Sequence, residues 1–445
     1  MSRDVGRVLI IVQNLPVPLD RRVWLECKAL IRSGFGVSVI CPKGPGDPWQ
    51  QVIDGVRIYK YPPPPTARGP AGYAFEFGYC WLVSALLSIV VAVRDGFAAI
   101  QACNPPDTYF ALGRIWRLFG KKFVYDQHDL NPEVFLSRFG EPKGLLARTQ
   151  LRILRTLERQ TYRTADHVIS TNESYRAIAL DRGACDPQNV TVVRSGPDTT
   201  TMRPVIPRTD LRKGRRYLAV YLGVMGPQDG VDATLHALDR LIRKHGRTDC
   251  SLALLGFGDC LDELKQLTHD LDLDDYVTFT GRVGPTEIAD YLSTADLGLG
   301  PDPKSPLNDV STMNKTMEYM AYALPVLTFD LAETRVSAEH AARYVEPGDL
   351  AGFAAAWDDL LRDDSERVRL GTIGRERVSR ELDWTPQARR YVEVWERVLK
   401  RKATTVVSPM PSTEPASRAD PSRAFIDLDD AQVLAEFIRH RGRNE

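Results

Sequence analysis

Residues 305–327 carry the side chains whose types and spacing point most directly to chemistry. The polar residues 308–312 read as a loop and helix N-cap region, followed by a predicted helix from about Asn314 to Tyr322 and a strand at Val326. The free amides and dipole of such a helix favour a phosphate at its N-terminus, and Lys315 adds a cation there. Glu318 follows Lys315 by three positions and Asn314 by four, so all three share one face. A carboxylate one turn in can accept two sugar hydroxyls while the helix end holds a diphosphate. The same spacing also fits a plain Lys–Glu pair on a helix surface. In the first half of the chain, Asp20, Arg21 and Arg22 stand at the start of a predicted helix, where either arginine suits an acceptor phosphate and a solvated helix start is the alternative. His128, Asp129 and Glu133 follow the apolar run Phe123-Val124-Tyr125, hence lie at the C-terminal edge of a strand; the two acids also suit caps or turns.

Two series of elements must position these groups. Val8-Leu9-Ile10-Ile11-Val12 reads as a buried strand, followed by helical periodicity over 22–33 (Val23, Leu25, Cys27, Leu30, Ile31) closed by Gly34. Val37 to Cys41, Phe123 to Tyr125 and Val168 to Ser170 are further strands, each preceded by a helical stretch. A second series holds strands at 217–222, 252–256, 277–279, 297–299 and 323–327, with a helix over about 232–245. This rhythm predicts an α/β chain of two doubly wound, Rossmann-like domains. Ligands in such sheets bind beyond the C-terminal strand ends, so two facing domains imply a ligand in the cleft between them. The expected division is a first domain over 1–205, a Pro- and Arg-rich linker over 206–216, a second domain over 217–384, a helix over 385–402 crossing back to the first, and a tail over 403–445. The Ser-, Pro- and Thr-rich part of that tail, 403–424, reads as disordered, with a short helix within 427–441.

With 58 Lys plus Arg against 58 Asp plus Glu, the chain lacks the basic excess of a nucleic-acid binder. The seven cysteines, at 27, 41, 80, 103, 185, 250 and 260, form no metal-ligand or disulfide pattern and suit a reducing cytoplasm. The apolar run Trp81 to Val93 is shorter than the ~20 residues that cross a bilayer. Preceded by Tyr73, Phe75, Phe77 and Tyr79, the segment 72–93 is instead a candidate membrane-surface contact, with a core helix as the alternative. Leu255-Gly-Phe-Gly-Asp opens like a dinucleotide fingerprint, but Leu261 stands where its third glycine belongs, so a nicotinamide site is rejected. Asp272, Asp274 and Asp275 read as turn residues rather than metal ligands.

Ser311-Thr-Met-Asn-Lys-Thr-Met-Glu-Tyr-Met-Ala followed by Leu-Pro-Val, with Tyr221-Leu-Gly-Val-Met-Gly-Pro-Gln-Asp-Gly-Val-Asp, Phe279-Thr-Gly-Arg-Val and Val193-Arg-Ser-Gly-Pro-Asp, resembles the family-4 retaining glycosyltransferases of the GT-B fold. The resemblance spans roughly residues 7–400 and is strongest to a subgroup that makes bacterial surface polysaccharides. It implies a nucleotide-sugar donor, a UDP-sugar favoured, held mainly by the second domain, and no metal or other cofactor. The acceptor it implies is a hydroxyl of a glycan or of a polyprenyl-diphosphate-linked sugar, at the inner face of the plasma membrane. Glu318 matches the second Glu of the family's Glu-x7-Glu motif, which binds the nucleotide ribose. The first Glu falls on Val310, and Asp309, one residue earlier, is the substitute. Where the family has Gly-Arg and Lys-Gly near the start of the second domain, this chain has Gly223-Val224 and Asp229-Gly230. The diphosphate is then left to Lys315, Arg282 and the amides around Gly223 and over Asn314 to Thr316. His128 matches the His that faces the donor sugar, and Arg21, Arg22 and Asp129 fall on the acceptor side. Two other readings remain: a catalytically inactive sugar-nucleotide-binding partner subunit, motivated by the lost Glu and cations, and a sugar-nucleotide 2-epimerase.

Overall fold

The computed structural model describes residues 6–64, 69–402, 425–426, 428 and 430–443; the expected disordered stretch 403–424 lies outside them. The chain divides into two compact units, the first comprising residues 1–195 and 385–409, the second 196–384 and 410–445.

The first unit is built on strands β1 (Arg7–Ile11), β2 (Gly36–Pro42), β3 (Gln50–Ile53), β4 (Val56–Tyr61), β5 (Ala99–Cys103), β6 (Lys122–Gln127), β7 (His167–Ser170) and β8 (Val190–Val192). Its helices are α1 (Arg21–Arg32), α2 (Gly69–Arg94), α3 (Phe110–Arg117), α4 (Asn131–Phe139), α5 (Leu145–Thr164) and α6 (Glu173–Asp181). The sheet runs β3-β4-β2-β1-β5-β6-β7-β8, parallel except for β3. Parallel strands covered on both faces are continuous apolar runs, which is why β1, β2 and β6 stand out in the sequence. Right-handed crossovers put α1 on one face and α2, α3, α5 and α6 on the other. The core joins Leu9 and Ile11 to Cys80 and Val91 of α2, Leu112 of α3, Tyr162 of α5 and Ala179 of α6.

The second unit has strands β9 (Tyr217–Leu222), β10 (Cys250–Leu255), β11 (Val277–Gly281), β12 (Leu297–Gly300), β13 (Val326–Phe329) and β14 (Ala342–Val345), in the order β11-β10-β9-β12-β13-β14. Its helices are α7 (Val231–His245), α8 (Leu261–Asp270), α9 (Pro285–Thr294), α10 (Asn314–Ala321), α11 (Ala332–Ala338), α12 (Leu350–Arg362) and α13 (Asp364–Arg377). Helix α14 (Trp384–Leu399) then packs on the first unit, its Tyr391 hydroxyl donating to Gln101 Oε1 at 2.6 Å, and α15 (Ala431–His440) packs on the second.

Three expectations change. Residues 196–205 belong to the second unit, not the first: the Trp384 N–H donates to the Pro197 carbonyl (3.0 Å) and Asp383 accepts from Thr199. The expected linker is folded into the same unit; Arg212 is buried and paired with Asp296 at 2.5 Å. Finally, the apolar segment near residue 80 extends well beyond Trp81 to Val93. Within α2, Phe75–Arg94 is 20 residues long and, by length and composition alone, apolar enough to cross a membrane. All seven cysteines are free thiols.

Candidate active site

Each sheet reverses its winding once, between β1 and β5 and between β9 and β12. The C-terminal strand ends at those two points are where side chains converge on open backbone.

In the second unit this point is the N-terminus of α10, which has no side-chain cap. Tyr319 fixes the helix to the sheet: its hydroxyl accepts from the Leu222 N–H (2.9 Å) and donates to the Leu299 carbonyl (3.2 Å). Gly298 lets it sit there, since a Cβ at 298 would lie 2.5 Å from the Tyr319 ring. Lys315 and Glu318 are buried, whereas Asn314 is exposed at the helix tip. The Lys315 ammonium donates to Asp302 Oδ1 at 2.6 Å and lies 4.8 Å from the centre of the Tyr221 ring. Burial alone pulls its pKa down, but the carboxylates of Asp302 and Asp229 outweigh burial and hold it above the ordinary lysine value, fully charged. Gly223 closes on this group: a Cβ there would sit 3.4 Å from Lys315 Cε. The loop after β9 is tied to the loop after β12 by Asn308, whose Nδ2 donates to the carbonyls of Gln228 (2.8 Å) and Pro303 (2.9 Å). Arg282, just past β11, is exposed, its guanidinium 4.0 Å from the Phe257 ring. The glycines of Leu255-Gly-Phe-Gly-Asp serve packing: at Gly256, with φ of +152°, a Cβ would fall 1.8 Å from the Gly223 carbonyl oxygen.

In the first unit a buried charge network fills the corresponding position. Arg22, in the first turn of α1, sits 3.0 Å from Asp126 Oδ1 and 3.1 Å from Glu26 Oε1. It also donates to Ser195 Oγ and the Val193 carbonyl, both at 2.9 Å. His128 Nε2 is 2.8 Å from Asp126 Oδ2 and 3.2 Å from Arg22 Nε, so both groups hold the ring by that one nitrogen. Burial would raise the Asp126 pKa, but Arg22 and His128 hold it well below the carboxylate range. Burial lowers the His128 pKa less than Asp126 raises it. Burial and Asp126 push Glu26 up to about 8, against Arg22. Gln101 Nε2 bridges the two acids, 2.7 Å from Glu26 and 2.9 Å from Asp126. Cys103, Asp126 and His128 place metal-capable atoms within 4.8 Å of one another. Arg22 already supplies the positive charge at that spot, and burial keeps the Cys103 thiol protonated, so this cluster is ill suited to a metal ion.

Both units match family models, residues 19–196 the glycosyl transferase 4-like domain and 216–363 the glycosyl transferases group 1. The chain belongs to the family-4 GT-B glycosyltransferases. It is 30% identical over 199 residues to a GDP-mannose-dependent alpha-(1-6)-phosphatidylinositol monomannoside mannosyltransferase of Mycobacterium tuberculosis, covering 42% of this chain and 51% of that protein. It thus spans about half the length of that relative. It is 25% identical over 404 residues to the glycogen synthase of the same organism, covering 85% of this chain and 90% of that one. Among solved structures, the Anabaena protein HepE in complex with UDP-glucose superposes with a TM-score of 0.64 at 17% identity, covering 88% of this chain and 99% of that chain.

The family's expected residues are unevenly deployed here. Gly223, Lys315, Thr316 and Glu318 come together at the head of α10, with Arg282 on a neighbouring loop and Asn314 at the tip. Asp309 is placed differently from expectation: its Oδ1 accepts from the Ala332 N–H (2.9 Å), capping α11. Arg22 departs as well, because its guanidinium is consumed by Asp126, Glu26 and Ser195; Arg21 is the exposed member of the pair. Asp129 is backed by Asn104, whose Oδ1 accepts from its N–H at 3.1 Å. Asp302, Asp126, Glu26 and Gln101 were not anticipated. For Asp126, Glu26 and Gln101 the signal is a polar residue inside an otherwise apolar strand or helix face, as in Ala99-Ile-Gln-Ala-Cys103, whereas Asp302 sits in the loop after β12.

Proposed function

We propose that this glycosyltransferase moves a sugar, with retention, from a nucleoside-diphosphate donor to a hydroxyl of a glycan or lipid-linked acceptor in polysaccharide or glycoconjugate synthesis. The observation that carries the proposal is the head of α10: a helix N-terminus without a side-chain cap, a buried charged Lys315, Gly223 packed against it, and Glu318 one turn in. The diphosphate belongs at the amides and Lys315, and the ribose hydroxyls at Glu318. HepE was solved with UDP-glucose, the mannosyltransferase is GDP-mannose-dependent, and a glycogen synthase is a polysaccharide-forming relative. These support a sugar nucleotide as donor, with a UDP-sugar the donor that the family resemblance favours.

Retention requires no base from the protein in this reading. The leaving diphosphate, ion-paired to Lys315, takes the acceptor proton as the new glycosidic bond forms, and stabilising its charge supplies most of the rate. His128, held in place by Asp126 and Arg22, is assigned to a hydroxyl of the donor sugar. No residue in this scheme calls for a metal or a further cofactor.

The inactive-subunit reading is favoured by one observation. Where the family carries a Lys, Asp229 accepts from the Gly226 N–H (2.9 Å), and Lys315 is already paired with Asp302. Thermal melts with UDP, GDP, ADP and their sugar conjugates, on wild type and Glu318→Ala, test both readings. A ligand at a hundred times its dissociation constant adds about 2.7 kcal/mol. Stabilisation by one base, lost in Glu318→Ala, names the donor; no stabilisation by any refutes the site. Binding without turnover of the conjugate, even with a lipid-linked acceptor present, selects the inactive subunit.

A further inference from the structure

Helix α2 carries its polarity reversed for a helix whose outer face meets only water. Phe75, Leu82, Leu86, Ile89, Val90 and Val93 recur at helical spacing and are all exposed, Phe75 by 61% and Val93 by 71%. The face turned to the sheet holds Cys80, Ser84, Ser88 and Val91, all buried. Ser84 Oγ lies 3.3 Å from the Tyr109 hydroxyl, and Ser88 Oγ accepts from Trp116 Nε1 at 2.9 Å. An ordinary surface helix puts serine outside and leucine inside. At ~1.5 Å per residue the outward stripe is about 27 Å long. It is extended by Leu118 and Phe119, exposed by 84% and 67%, beside the Trp116 that Ser88 holds. A contiguous apolar surface of this kind marks an interaction site.

A second stripe lies on α5, bound to the other side of α3 through Arg114, which donates to Thr164 Oγ1 (3.0 Å) and Gln160 Oε1 (2.6 Å). Arg148, Arg152, Arg155, Arg159 and Arg163 follow one another at spacings of three and four, so they line one face, and all are exposed. None forms an ion pair with a carboxylate among the described residues, and Glu158 meets Arg155 only through a longer-range electrostatic interaction. Like charges stacked along a helix repel, so this row is unfavourable unless an anionic surface complements it. Leu145, Leu146 and Ile153 are exposed on the same helix.

We propose that the α2–α3–α5 face of the first unit docks on an anionic lipid bilayer. The α2 stripe and Leu118-Phe119 enter the headgroup–acyl boundary, and the α5 arginines meet lipid phosphates. A nucleic acid would satisfy the arginines and leave the α2 stripe in water; a bilayer satisfies both. Helix α2 lies in the interface and does not cross it, because Cys80, Ser84, Ser88 and Val91 are committed to the fold.

The test is flotation of the full chain with phosphatidylcholine vesicles, with and without phosphatidylglycerol, at low and high salt. Binding should favour the anionic vesicles and weaken with salt. Leu86→Ser with Ile89→Ser should abolish it. Arg152→Gln with Arg155→Gln and Arg159→Gln should cost about a hundredfold on anionic vesicles, at roughly fivefold per arginine, and erase the lipid preference. All these side chains are exposed, so both variants should melt like wild type. Absence of vesicle binding, or binding indifferent to both variants, overturns the proposal. Self-association of the free protein that Leu86→Ser and Ile89→Ser remove, without vesicle binding, would make the face a protein interface and overturn it equally. The readout requires no sugar transfer, so it stands or falls apart from the donor site.

Discussion

Arg441 offers the sharpest quantitative test of how the second unit holds its donor helix. It closes α15 and is 1% exposed. Its Nη1 donates to the carbonyls of Leu292 (3.0 Å) and Ser293 (3.4 Å), and its Nη2 to those of Tyr322 (3.1 Å) and Ala323. Arg375 Nη1 takes the Ala321 carbonyl at 2.8 Å. The last carbonyls of α10, one end of the helix that carries Lys315 and Glu318, are therefore held by two arginines, as the dipole favours. Around Ala323, the side chains of Leu428, Leu434, Phe437 and Ile438 complete a small core. Arg441→Met removes three firm charge-assisted bonds, each worth about 1.5–3 kcal/mol. It also relieves crowding: burial and the neighbouring Arg212, Arg443 and Arg367 push the Arg441 pKa below the arginine range, against Asp296. The net expectation is a loss of about 3–5 kcal/mol, the usual cost of breaking a buried charged contact. At about 2–4 °C per kcal/mol for a unit of this size, calorimetry should show the second unit melting roughly 6–20 °C lower. Arg441→Lys should recover part of the loss. Nucleotide stabilisation should fall in parallel, since α10 loses its anchor. A variant that melts within a degree of wild type would refute the whole chain of reasoning, because α15 would then not be seated on α10.

Arg22→Met should destabilise the first unit by about 3–5 kcal/mol in chemical denaturation, since it leaves the Asp126 carboxylate buried without its guanidinium partner. Glu26 titrates near 8 when folded and near the ordinary glutamate value when unfolded, so the native state binds more protons between those limits. Its contribution to stability is complete below that ordinary value and is lost as pH rises through about 8. Glu26→Gln should therefore flatten the decline in melting temperature measured from pH 5 to pH 9. Gly256→Ala should prevent the second unit from folding, read as lost near-ultraviolet dichroism, because its Cβ would fall 1.8 Å from the Gly223 carbonyl oxygen.

Much of this was legible in the sequence because parallel strands buried on both faces are unbroken apolar runs. Tyr217–Leu222 was readable residue for residue, and α10 from its polar lead-in and the Lys315–Glu318 spacing. The hairpin of β3 and β4 carried its own signal, Asp54-Gly55 with both residues at positive φ, but β3 is too polar and half-exposed to stand out. The Pro- and Arg-rich stretch 206–216 shows a limit of composition. Exposed arginines solvate a linker, whereas a buried arginine with Asp296 as partner pins a strap, and the two cannot be told apart without the partner.

The same limit explains the divided fate of the candidate residues. Adjacent arginines at a helix start are equivalent in sequence, yet the rotation of about 100° between successive helical residues sends Arg22 inward to Asp126 and leaves Arg21 exposed. Asp309, one residue out of register with the family's glutamate, found the α11 N-terminus instead. A site's charges are thus set by which partners the backbone delivers. At the head of α10 the backbone delivers Asp302 to Lys315, so a donor diphosphate must compete with a carboxylate for that ammonium. Asp302→Asn should then tighten nucleotide diphosphate binding, read as a larger thermal shift at equal ligand, by about the 1.5–3 kcal/mol of one charged hydrogen bond. If it loosens binding instead, Asp302 orients Lys315 for the phosphate, and the pair acts as one unit rather than as rivals.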